Sequence, residues 1–82
     1  MMKLPKPLSL YNDVERAELK VQVCEMEIEQ GKEGVYDYLT NTYKFDRVLD
    51  EDDLKGRKYS LNGLIIERNR IYKKNGIDPL PF

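Results

Sequence analysis

The apolar positions of segment 14–28 fall into two stripes, both with helical spacing. Val14, Ala17, Val21, Cys24 and Ile28 recur three and four residues apart, which places them on one face of an α-helix. Leu19, Val23 and Met26 form a second stripe, and at about 100° per residue it lies nearly opposite the first. A helix that is apolar on two sides needs partners on two sides. A short chain supplies one such partner easily and two with difficulty. The pattern therefore predicts self-association, with Leu19, Val23 and Met26 at the interface between copies.

The ends of this helix are marked. Asn12 with Glu15 three residues later fits a capping box, and Asp13 suits the positive helix end. Gly31 and Gly34 stop or kink the helix near Gln30. Before it, residues 1–11 form an arm that Pro5 and Pro7 hold extended and that is expected to lie over a neighbour. Beyond it, Val35, Tyr38, Leu39, Thr42 and Tyr43 again fit helical spacing, so 34–48 is assigned a short helix. A hairpin turning near Thr40-Asn41 is the alternative, because Tyr, Thr, Val and Phe favour strands. The acids Asp50, Glu51, Asp52 and Asp53 read as helix-start residues. A last helical segment covers 52–75, interrupted at Gly56, with its regular part from about Ser60 to Asn75 and Gly76 as its stop. Leu61, Leu64, Ile65, Ile71 and Tyr72 form its main face, and Ile66 lies off that face. Residues 76–82 are an apolar, proline-stiffened tail ending in Phe82. Ile66 and Phe82 join the expected interface. The expected architecture is all-α: a small helical hairpin, acidic helix then basic helix, with a short middle helix, assembled as a homo-oligomer.

Size and cysteine usage bear on that assembly. A single domain of 82 residues buries only ~60% of the surface its unfolded chain exposes. Small folds commonly add disulfides, metals or oligomerisation. Cys24 is the sole cysteine and histidine is absent, which leaves oligomerisation. No apolar run approaches the ~20 residues of a membrane span, and residues 1–7 lack the core of a secretory signal. A cytoplasmic protein is expected.

Charge separates along the chain. From Asp13 to Glu33 there are seven acids and three bases; from Lys55 to Lys74 there are seven bases and one acid. Pairing of the two helices accounts for this, although exposed pairs are worth only ~0–1 kcal/mol each. An anion-binding surface is the sharper interpretation. Arg68 falls in the middle of an apolar helix face. It must pair with a glutamate of the first helix, snorkel, or hold a phosphate or carboxylate in its planar fork. Six tyrosines stand against no tryptophan, a residue type suited to interfaces and to stacking on a base. Tyr11, beside the helix start at Asn12, is the best placed of them for a ligand. The candidate ligand or partner residues are therefore Tyr11, Asn12, Lys20, Arg68 and Tyr72.

No catalytic signature is present. There is no histidine to activate Cys24, no phosphate-binding loop and no dinucleotide motif. The acidic run 50–53 lacks the layout of a calcium loop, so no metal and no cofactor is expected. The chain reads as a non-enzymatic binding protein that occludes another macromolecule. Small chains of this kind are common among phage-encoded inhibitors of host systems, so a host or cognate protein is the first expected partner. In size and hairpin layout, and in no motif, the chain resembles phage proteins that take up cyclic nucleotide signals. That resemblance implies an oligomer holding a small anionic nucleotide at subunit boundaries, near Tyr11, Asn12, Lys20 and Arg68. Nucleic-acid binding through Arg57, Lys58, Arg70, Lys73 and Lys74 is disfavoured by a net charge of −1.

Overall fold

The computed structural model describes residues 1–78 of the chain. The elements run β1 (Met2–Lys3), a 3-10 turn (Leu8–Leu10), α1 (Asp13–Gln30), β2 (Lys32–Asp37), β3 (Thr42–Val48) and α2 (Glu51–Lys74). The fold is therefore α+β and not all-α. The segment assigned a short helix is an antiparallel hairpin, and β1 adds to it to give a sheet of order β1-β3-β2. The last helix also differs from expectation: it passes through Gly56 without a break. The tail residue Phe82 lies outside the described residues.

The hairpin forms because two local preferences agree. Residues 35–48 are rich in aromatic and β-branched side chains, which pack well on a pleated surface. Gly34 pairs with Phe45 and Tyr36 with Tyr43 on one face, while Val35 pairs with Lys44 and Asp37 with Thr42 on the other. At the turn, Asp37 Oδ1 accepts the Leu39 amide at 3.0 Å, a local alternative to helical bonding. Asn41 takes a left-handed φ of 54°, which asparagine tolerates better than most residues. One residue, Asp46, is extra where the register shifts between Glu33 and Gly34, a β-bulge.

α1 is the middle layer, with α2 packed on one side and the sheet on the other. This arrangement explains the doubled stripe. Ala17, Val21 and Cys24 are buried on the α2 side, and Leu19 is buried on the other. Val23 lies against Gly34 and Phe45 of the sheet. The chain's own sheet thus supplies the second partner, and the stripe Leu19, Val23, Met26 does not require another copy. Asn12 closes the capping box on α1, accepting the Glu15 amide at 2.9 Å while its own N–H donates to the Glu15 carboxylate at 3.1 Å. Gly31 ends the helix in the left-handed region, at φ 64°, where a side chain would be strained. Asp50 caps α2 through the Asp53 amide.

The arm folds over its own chain. Leu4 is buried, and its N–H donates to the Asn41 carbonyl at 3.1 Å. The Asn41 side chain donates to the Lys6 carbonyl at 2.8 Å and accepts from the Tyr36 hydroxyl at 2.7 Å. Lys6 then reaches Glu15 at 2.6 Å. Asn41 is thus the junction at which arm, turn and strand meet.

Candidate ligand cleft

Because the arm crosses from the hairpin turn to the start of α1, it leaves a space between itself, the helix and the sheet. The resulting cleft has a volume of about 580 Å³. Pro7, Leu8 and Ser9 bound it from the arm, Arg16, Leu19 and Lys20 from α1, and Tyr36, Tyr38 and Tyr43 from the hairpin. Most of this lining is aromatic or aliphatic, with a few polar groups converging on it, the composition of small-molecule sites. Tyr36 and Tyr43 are cross-strand neighbours with ring centroids 5.3 Å apart, tilted by 47°. Burial pushes the Tyr43 phenol above its ordinary value. Tyr43 therefore remains a neutral donor well into alkaline solution.

Two cations stand at this cleft. Arg16 and Lys20 are four residues apart, so they are neighbours on one face of α1. The Arg16 Nε donates to the Tyr11 carbonyl at 3.1 Å, which orients the guanidinium; among the described residues its Nη groups make no ion pair. Among the described residues no carboxylate lies within ion-pair distance of either cation. Two of the acids flanking them on α1 are committed elsewhere. Glu15 takes Lys6 and the Asn12 amide, and Glu18 takes the Tyr72 hydroxyl at 2.6 Å. The Lys6 and Asn12 contacts hold the Glu15 carboxyl below its usual range.

The residues singled out in the sequence do not form one site. Lys20 lines the cleft. Asn12 is occupied as the helix cap. Tyr11 contributes its carbonyl to Arg16, and its ring sits under Lys6, 5.3 Å from the ammonium. Arg68 and Tyr72 lie on α2, with the Arg68 guanidinium 5.6 Å from the Tyr72 ring centroid, and neither lines the cleft. Arg68 has no ion pair among the described residues; it bonds Asn69 Oδ1 at 3.4 Å. The interhelical ion pair is made instead by Arg57 and Glu27, at 3.3 Å. Sequence reasoning missed Arg16, Ser9, Tyr36, Tyr38 and Tyr43. The spacing Tyr36-x-Tyr38 with Tyr43, read as a hairpin, would have brought the tyrosines together; nothing local in the sequence places them against Arg16 and Lys20.

Tyr72 and Cys24 set an alkaline limit on stability. Burial, followed by the hydrogen bond to the Glu18 carboxylate, raises the Tyr72 phenol above its ordinary value. Burial, followed by the nearby Glu27 charge, raises the Cys24 thiol. A raised value in the folded state means the folded chain holds the proton more tightly. The associated stability is complete below the unfolded values, about 8.5 for Cys and 10 for Tyr, and is lost as pH rises through the folded ones. Urea midpoints are expected to fall above about pH 9, and Tyr72→Phe to flatten the upper part of that fall. A flat profile between about pH 8 and 11 would contradict this assignment.

Comparison with protein families, with curated proteins and with solved structures finds no match. Among the described residues no helix is long and apolar enough to cross a membrane.

Proposed function

We propose that this chain is a non-enzymatic binding protein and that its ligand is a small molecule with a flat ring, taken into the tyrosine cleft. The observation that carries this reading is the convergence of Tyr36, Tyr38 and Tyr43 on one open space lined by the arm and α1. Aromatic faces stack on flat rings with little demand on ring identity, and one such stack is worth about 1–3 kcal/mol. Tyr38 is 77% exposed, so it is available to close on a bound ring.

Titration of isotope-labelled protein with adenosine and with indole tests the reading. Saturable amide shifts are expected at Ser9, Leu19, Lys20 and residues 36–38, and Tyr38→Ala should weaken them about tenfold. Shifts spread evenly over the surface, or none, would refute it.

A protein partner is the second reading. It is favoured by Val35, Tyr38 and Leu39, all more than half exposed on one hairpin. Large apolar side chains left exposed, as Tyr38 and Leu39 are side by side at the turn, suit an interaction site. Occlusion of a host protein would use that hairpin. Self-association would use the outward side of α2, where Ile66 is 49% exposed.

A further inference from the structure

We infer that the cleft's ligand joins its ring to an anionic group, as a nucleoside monophosphate does, and that Arg16 and Lys20 receive the anion. This rests on the small-ligand reading above.

Three observations meet here. The ring-binding surface and the two cations border the same space. Arg16 Nε donates to the Tyr11 carbonyl at 3.1 Å, which orients part of its fork in advance and favours binding of an oxyanion. Two acids flanking the pair on α1 are engaged, Glu15 by Lys6 and Glu18 by Tyr72. Asp13 and Glu67 border a neighbouring groove that Arg16 and Lys20 also line. Neither comes within ion-pair distance of the two cations.

The combination excludes most alternatives on chemical grounds. A neutral ring would leave two cations unused at the edge of an apolar site. A bare phosphate would leave the tyrosines unused and would gain only the screened attraction of two exposed charges. A ring-bearing anion uses both sets of groups at once. The cleft volume of about 580 Å³ falls within the range of sites for ligands of this size.

The test compares adenosine 5′-monophosphate, adenosine and inorganic phosphate on the intact chain by calorimetry, with amide shifts to locate binding. The monophosphate is expected to bind at least about tenfold more tightly than adenosine, through charge-assisted hydrogen bonds. That preference should shrink at high salt and in Lys20→Gln. Lys58→Gln, on the exposed side of α2, should leave it intact. Melting temperatures of both variants report on folding and are expected to match that of the parent. Equal binding of the monophosphate and adenosine in the cleft overturns the anion assignment while the ring-binding reading stands. A preference that survives Lys20→Gln and Arg16→Gln also overturns it. Failure of the monophosphate, adenosine and indole alike to shift the cleft overturns both readings.

Discussion

Replacing Arg57 by alanine is expected to cost about 3 kcal/mol of folding stability, among the largest single-residue effects in the chain. The reason lies with its partner. Glu27 is 8% exposed. Its carboxylate accepts the Gly34 amide at 2.9 Å and forms an ion pair with the Arg57 Nε at 3.3 Å. Arg57 Nη2 continues to Glu33 at 3.8 Å, Glu33 pairs with Arg47, and Arg47 Nη1 reaches Asp53 at 3.7 Å. The network joins both helices to both long strands. Its outer members are exposed enough to contribute little singly. The inner pair differs, because removing Arg57 leaves a buried charge with one amide for company. In a domain of this size about 3 kcal/mol is a drop of roughly 12 °C or more in melting temperature. Adding Glu27→Gln to Arg57→Ala removes the stranded charge and should recover part of the loss. Urea unfolding of the two variants measures this; a loss below about 1 kcal/mol for Arg57→Ala would place Glu27 in contact with water.

This network also bears on what was legible in the sequence. Opposite charge on the two helices was visible as separate runs, and the helices do pack together. Yet among the described residues only one interhelical ion pair, Arg57 with Glu27, is made. Run composition reports a field, not a partner list. The capping box at Asn12 and the stop at Gly31 were readable because both depend on residues within one turn. The doubled stripe was read correctly as a demand for two partners. The shortness of the chain points to another copy as the second partner, and the helical spacing of Val35, Tyr38, Leu39, Thr42 and Tyr43 hides the sheet that supplies it. Their strand preference and the turn chemistry of Asp37 and Asn41 outweighed that spacing, and the sheet so formed covers Leu19. One misread element thus changed both the fold class and the argument for assembly. Arg68 is conspicuous for its position on an apolar face, yet half-buried on α2 it settles over Tyr72 and, among the described residues, pairs with no carboxylate. The cleft was the least visible feature. Its three walls come from chain segments separated by up to thirty-odd residues, and only the fold brings them together.

The sheet's approach to α1 leads to a second expected result, in which two glycines respond to the same substitution with opposite signs. A Cβ added at Gly34 would come within 2.8 Å of Phe45 Cε1 and 3.1 Å of Val23 Cγ1. Phe45 is itself buried, and its ring cannot turn aside as a flexible chain end would. The sheet and α1 must therefore separate slightly, at a cost of about 1–3 kcal/mol for Gly34→Ala and more for Gly34→Val. At Gly63, within α2, the added Cβ would meet nothing within 4 Å. There alanine only restricts the unfolded chain and supplies a better helix former, for a gain of about 1 kcal/mol. The pair isolates the cause, since both changes add one methyl and both remove glycine's freedom. A neutral Gly34→Ala would mean that the sheet does not press on α1 at Val23. The second stripe would then be free to seek its cover elsewhere, and sedimentation of that variant beside the parent would show whether it finds it in another copy.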